Sequence, residues 1–490
     1  MPHWAEQTIW WHLYPLGFTG APVRPAHEHE RAMVPRLNRL LPWLDYLQEL
    51  GANGLALGPV FESDSHGYDT TNFFRVDPRL GSQSDFDRLM HACDERGIAV
   101  MLDGVFNHVS HRHPLFRSAL AGDPVASRYF QIRHGLGTAG GHSQADRTAG
   151  DASHQGGADE NTHGPLPGGD HLQASASNRP TGNEAAQRAM RELAEDSSGP
   201  RHRGGITPRA GTPSYICFEG HHQLPTLNHA AEEVLQLVTR VMHHWLDRGA
   251  RAWRLDAAHA VPPAFWRRLL LTVRQRHPRC WFVGEIILGD FIEQVRNSSI
   301  DSATQYHLWH SARHSLQHAD FGDLERCLDR HNRMLREFTP LTFLGNHDVV
   351  RLASQIGAAK AALAFALQMT VGGSPSIYYG DEQTLDGTKL SGDALDDELR
   401  PPYPASPDAL PKRGRWMYML LQRLIQLRHA HPWLARANTR VQWRHDRGIG
   451  YRVHDGDGRS LVVSLLLDPK PHARIVHDGV TILDIDPPST

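Results

Sequence analysis

Two kinds of apolar pattern alternate along this chain. Thr8-Ile-Trp-Trp-His-Leu-Tyr14, stopped by Pro15, is a short run rich in aromatic and branched residues, and Gly54-Leu-Ala-Leu-Gly-Pro-Val60 is one without a polar face. Such runs are expected of parallel strands covered on both sides. Between them Leu37, Leu40, Leu41, Leu44 and Leu47 recur at helical spacing, and Gly51 supplies the stop. The unit repeats: a helix over 85–96 precedes a strand over 97–103, a helix over 232–248 precedes the run carrying Arg254 and Asp256, and a helix over 264–276 precedes a strand over 280–285. Further turns of the pattern are expected at 301–309, 341–344 and 375–379, with helices near 323–337, 358–370 and 415–429.

Alternating strands and helices with wholly apolar strands predict a parallel sheet. About eight units suit a closed (β/α)8 TIM barrel better than an open doubly wound sheet. The expected architecture is α/β, with the barrel built from residues 1–108 and 229–434. Residues 109–228 interrupt it after the third strand as an inserted domain. Within them, residues 134–212 are dominated by Gly, His, Ser, Ala, Asp and Pro. Such a stretch cannot bury enough apolar surface to offset its ordering entropy, so it is expected to be mobile, with a short helix over 185–194. Its histidines, His134, His142, His154, His163 and His171, are irregularly spaced and joined by no cysteine, which favours a solvated loop over a metal site. Residues 435–490 carry short strands between Asp/Gly turns and predict a small antiparallel, β-sandwich-like domain.

The chemistry-bearing residues fall at strand ends. Arg254 and Asp256 are two apart, so in a strand their side chains leave the same face. A permanent cation beside a carboxylate favours its ionised form, as a nucleophile requires. Alone, such a pair is more often a structural ion bridge. Three other strand ends carry similar groups: Asp103 with Asn107 and His108, Glu285, and His347 with Asp348. A barrel gathers all of these at its carboxyl mouth, whereas an open sheet would gather only those at its switch point. Glu285 follows Trp281-Phe-Val-Gly, and apolar surroundings raise a carboxyl pKa. On this reading Glu285 is the acid and Asp256 the nucleophile. Taken singly, His108 and His347 fit a structural role as well as sugar binding, and Tyr68 fits packing as well as stacking on a sugar face.

Lys and Arg number 51 against 54 Asp and Glu, which gives no electrostatic case for nucleic acid or an anionic membrane. The amino-terminal residues read as neither leader nor anchor. The four cysteines, Cys93, Cys217, Cys280 and Cys327, lack close spacing and read as free thiols. A cytoplasmic protein with a neutral, small or polymeric partner is expected.

Together the strand ends resemble the α-amylase family of glycoside hydrolases. Val100-Met-Leu-Asp-Gly-Val-Phe-Asn-His108, Ala252-Trp-Arg-Leu-Asp256, Phe282-Val-Gly-Glu285 and Phe343-Leu-Gly-Asn-His-Asp348 are similar to that family's four hallmark motifs, in order. The segment His66–Gly81, Leu224-Pro-Thr-Leu-Asn228 and Pro375-Ser-Ile-Tyr-Tyr-Gly-Asp-Glu382 resemble further family segments. The resemblance implies Asp256 as nucleophile, Glu285 as general acid and base, and Asp348 as the carboxylate that stabilises the transition state. It implies Tyr68, Asp103, His108, Arg254, His259 and His347 as substrate-binding residues, with Asp103 acting as support for the others. Asn107 matches a calcium-ligand position of many relatives, so a structural calcium is a candidate although no cofactor is required. His259 followed by Ala260 departs from the family's usual lysine and histidine. The activity implied is retaining hydrolysis of α-1,4 bonds in starch-like glucans or malto-oligosaccharides. An α-glucosidase, a glycosyl-transferring or isomerising relative, and a non-catalytic carbohydrate-binding barrel are the alternatives.

Overall fold

The computed structural model describes residues 3–133, 214–392 and 395–488. The five histidines between 134 and 171, the helix expected over 185–194 and the mobility expected of 134–212 lie outside the described residues.

The first two strands, β1 (Trp10–Leu13) and β2 (Gly54–Leu57), are followed by a hairpin of β3 (Phe61–Ser63) and β4 (Thr70–Val76). After β5 (Ala99–Gly104), the short pair β6 (Ile132–Arg133) and β7 (Ser214–Tyr215) brackets the inserted segment. The alternation resumes with β8 (Ala252–Leu255), β9 (Trp281–Gly284), β10 (Ser302–Ala303), β11 (Leu341–Phe343) and β12 (Ser374–Tyr378). Eight of these form one parallel sheet in the order β10-β9-β8-β5-β2-β1-β12-β11. A parallel bridge between Thr304 and Leu341 links its two edges, so the sheet comes round on itself as a barrel.

The barrel strands lack a polar face because both faces are covered. One apolar set lies on the axis, where Trp10 and Trp281 stack at 5.7 Å among the small residues Ala56, Ala99 and Ala252. The other lies between strands and helices: Val234, Val238, Val241, Met242 and Trp245 of the helix Glu232–Leu246 are fully buried. Burying a large apolar side chain stabilises by about 1.5–3 kcal/mol, which is why each helix presents one such stripe.

Three expectations change. The stretch 301–309 is only partly strand: β10 ends at Ala303, and Tyr306, Trp309, Ala312 and Leu316 repeat at helical spacing in the helix Tyr306–His318. The hairpin β3/β4 was not foreseen. The carboxyl-terminal strands β13 (Asn438–His445), β14 (Gly448–His454), β15 (Ser460–Leu466), β16 (His472–His477) and β17 (Val480–Ile485) form one antiparallel sheet in sequence order, not a sandwich. Its single apolar face, with Ile449, Tyr451, Val463 and Ile475 buried, packs on barrel helices, where Tyr451 and Thr370 hydroxyls meet at 2.9 Å. The helices thus occupy the place of a second sheet. Cys93, Cys280 and Cys327 are buried, and all four cysteines are free. Among the described residues no helix is long and apolar enough to cross a membrane.

Candidate active site

Strand register sets the site. Asp103 on β5 is paired with Arg254 on β8, which is paired with Val283 on β9, two residues before Glu285. Arg254 Nη1 lies 2.7 and 2.8 Å from the two oxygens of Asp103 and 3.2 Å from Asp256 Oδ1, while Nη2 lies 2.6 Å from Glu285 Oε1. One guanidinium therefore ties together carboxylates from three strand ends. Glu285 also accepts from the Tyr306 hydroxyl at 2.9 Å and from the Ala257 N–H at 3.0 Å. Ala257 reaches that position with φ of 44°, a left-handed conformation unusual for alanine. Backbone strain here aims an N–H at a carboxylate.

The fourth strand end adds His347 and Asp348. Asn346 accepts from the N–H groups of Asp348 (2.9 Å) and Val349 (3.1 Å), and its own amide donates to Tyr306 at 3.2 Å, so it fixes the turn that presents both residues. His347 Nε2 contacts Asp348 Oδ2 at 3.0 Å and meets the Tyr68 hydroxyl; the Tyr68 and His347 rings stack at 5.0 Å. Tyr68 also donates to Asp103 at 3.0 Å. Arg400 closes the far side: its Nη2 lies 3.0 Å from Asp348 and 2.8 Å from Asp396, its Nε donates to the His347 carbonyl, and it sits over the Tyr14 ring.

Tyr68, His108, Asp256, His259, Glu285, His347 and Asp348 all line one cleft of ≈ 330 Å³. Asp103 and Arg254 do not line it. Both are buried, and the contacts of Asp103 with Arg254 and Tyr68 fit the supporting role that the resemblance implies for Asp103. Arg400, Asp396, Tyr306 and Phe218 line the cleft and were missed. Tyr306 had a signal, since it follows a strand end. Arg400 had none: it lies in a proline-rich connection, and apart from Asp396 its partners are distant in sequence.

The charges are shared differently from the simple expectation. Desolvation, then the charge of Glu285, pushes the Asp256 carboxyl well above its ordinary value, and Arg254 only partly offsets them. The reason is geometric, because Arg254 spends its closest contacts on Asp103 and Glu285. Arg254 does favour the ionised form of Asp256, as expected of a cation beside a carboxylate, but it does not outweigh burial and Glu285. Burial also works to raise Asp348, but His347, Arg400 and Arg254 outweigh it and hold this carboxyl well below the usual range. Asp103, Asp256, Glu285 and Asp348 face two guanidiniums, so the site gathers more carboxyls than cations.

His108 is buried, contacts the Tyr68 carbonyl at 3.0 Å and stacks on Phe218 at 4.7 Å; desolvation lowers its pKa to about 4, so it is neutral near pH 7. His259 Nδ1 lies 3.3 Å from the Glu285 carbonyl. The Asn107 amide lies 3.2 Å from His108 Nδ1, and among the described residues no three His, Cys, Asp or Glu side chains gather in a way that could hold a metal ion. Calcium favours a cage of several oxygens. The His, Cys, Asp and Glu side chains of the described residues form no such cage.

By fold and site this is a barrel glycosidase. The cyclic α-maltosyl-(1→6)-maltose hydrolase of Arthrobacter globiformis shares the fold with a TM-score of 0.67 at 22% identity, over 95% of this chain and 91% of that one. Residues 36–153 and 209–401 match the alpha amylase catalytic domain, and the chain belongs to the α-amylase family. Similar relatives include a cyclomaltodextrinase of Geobacillus thermopakistaniensis, 27% identical over 485 residues, covering 94% of this chain and 69% of the relative. Neopullulanase 2 of Thermoactinomyces vulgaris is 27% identical over 473 residues, covering 91% of this chain and 66% of the relative.

Proposed function

We propose that the protein hydrolyses α-1,4-glucosidic bonds in malto-oligosaccharides or starch-like glucans, with retention at the anomeric carbon. The observation that carries this reading is the bridging of Asp256 and Glu285 by Arg254, which holds the two carboxyls close on one cleft wall. Retaining glycosidases need their two carboxyls only about 5–5.5 Å apart, leaving no room for a water between them. The cyclomaltodextrinase and neopullulanase relatives support the substrate class.

In the first step an Asp256 oxygen bonds to the anomeric carbon as the glycosidic C–O bond breaks, and Glu285 gives its proton to the leaving oxygen. The proton resides on Glu285 when substrate is bound, leaving Asp256 bare. In the second step Glu285 takes a proton from water, the water oxygen bonds to the anomeric carbon, and the bond to Asp256 breaks. Asp348, kept ionised by His347 and Arg400, opposes the positive charge that develops on the sugar ring. Tyr306 and the Ala257 N–H orient Glu285. His108, His347 and His259 face the cleft as partners for sugar hydroxyls. Residues 109–228 serve as the inserted domain, whose described residues Phe218, Glu219 and Leu224 line the cleft, and 435–490 as the carboxyl-terminal unit. Buried free thiols fit a reducing cytoplasm.

Glu285→Gln is the decisive variant. It should lower kcat on maltoheptaose by at least about 10³-fold, with activity partly restored on a substrate whose leaving group needs no proton. Undiminished hydrolysis would remove Glu285 as proton donor, and an inverted first-formed anomer by NMR would remove the covalent intermediate.

A further inference from the structure

Six non-glycine residues in the described chain have positive φ, and two of them, Ala257 and Glu219, line the cleft. The strain at Ala257 is explained by its N–H on Glu285. Glu219 has φ 48° and ψ 28°, is exposed, and makes no hydrogen bond or ion pair with any described residue. A side-chain-bearing residue in this region is held there only where its surroundings over-determine it. They do. Phe218 N–H donates to the Leu224 carbonyl, Leu224 N–H to His221, His221 N–H to Phe218, and Thr226 N–H to Ile216. The Tyr215 hydroxyl ties down the His222 carbonyl at 2.8 Å, and the Phe218 ring is stacked on His108. A rigid turn thus projects a carboxylate without a partner among the described residues onto the wall of a cleft built for hydroxyl-rich ligands. Gly220 follows at φ 83°, so the chain uses glycine at the second left-handed position but not at the first.

We propose that Glu219 is a substrate-binding residue that accepts hydrogen bonds from a sugar unit other than the one attacked, and so sets the preference for oligosaccharides over simple glucosides. The inference rests on the glucan reading above. Glu219 makes no hydrogen bond or ion pair with Asp256, Glu285 or Asp348, which places its effect on binding and not on the chemical step. A charge-assisted hydrogen bond to a hydroxyl is worth roughly tenfold in affinity.

Two variants test it. Glu219→Gln removes the charge, and Glu219→Gly removes the carboxylate while relieving the backbone. Both should raise KM for maltotriose roughly tenfold with kcat within about twofold, leave 4-nitrophenyl α-glucoside turnover unchanged, and raise Kd for maltotriose by the same factor in a Glu285→Gln background. Glu219→Gly should melt no lower than the parent. An unchanged Kd, an equal loss on both substrates, or a lower Tm accompanying the loss would overturn the proposal. Because the titration needs no turnover, a parent enzyme inert on both substrates would count against the hydrolytic reading, while Kd still decides the role of Glu219.

Discussion

Arg254 holds three carboxylates at once, and that sharing makes the site costly to the fold. Asp256 pays for it in stability: its pKa is raised in the folded chain by burial and by Glu285. A carboxyl raised above its unfolded value is ionised more readily in the unfolded chain, so its contribution turns unfavourable as pH rises from about 4 through the folded value. Asp256→Asn should therefore abolish hydrolysis yet raise stability at pH 7 by about 1–2 kcal/mol, with the gain shrinking under acid. Thermal melts of both proteins at pH 4 and pH 7 check the sign; a variant less stable than its parent at pH 7 refutes it. Arg254→Met runs the other way, because it leaves buried carboxylates without their counter-ion and should cost about 3–5 kcal/mol. At this scale the sequence was informative wherever chemistry sat on a strand end, as with Asp103, Arg254, Asp256, Glu285, His347 and Asp348. It was silent on Arg400, since nothing local marks a residue whose contacts with His347 and Asp348 span some fifty positions of the chain.

The turn after β11 shows how an element delivers two functional side chains together. Phe343-Leu-Gly-Asn-His-Asp348 reads as a motif, but the reason for its glycine is visible only in space. A Cβ on Gly345 would lie 2.1 Å from Asp381 Oδ2, and Asp381 is the buried partner of Arg351 at 3.0 Å. Gly345→Ala should force the carboxylate aside, strain the turn that carries His347 and Asp348, and destabilise by about 1–3 kcal/mol. Activity should fall more steeply than stability. A variant with parental melting and turnover would show that Asp381 can yield. The periodicities likewise located strands and helices, yet not the hairpin β3/β4, whose Thr70-Thr-Asn-Phe-Phe-Arg-Val76 has irregular burial and two shifts of register. The single carboxyl-terminal sheet was mistaken for a sandwich because alternation along a strand reports a buried face without saying what buries it.

Across the whole molecule the barrel takes up histidines in numbers that tie its stability to pH. His108 and His113 sit on the segment after β5, and His307 and His331 on the helices Tyr306–His318 and Gly322–Leu335; burial lowers each to a pKa of about 4 from the ordinary 6.5. His113 caps the helix Pro114–Leu120 through its ring nitrogen, and His331 bridges Gln305 and the Gly372 carbonyl, so the neutral form is built into the packing. The sign follows directly. Between pH 6.5 and 4 the unfolded chain binds protons that these buried rings do not, so stability present above about 6.5 is lost as pH falls toward 4. Each ring carries up to roughly 3 kcal/mol of this dependence, and because the four lie on three separate segments the loss is not confined to one loop. Tm should drop steeply across that window, with net proton uptake on unfolding near pH 5 measurable by calorimetry in buffers of different ionisation enthalpy. His331→Gln, which can keep one hydrogen bond without the titration, should melt lower than the parent at pH 7 but with a shallower acid limb. A Tm that is flat from pH 6.5 to 4, or a variant whose acid limb is as steep as the parent's, would show that these imidazoles are protonated in place and that the fold tolerates their charge.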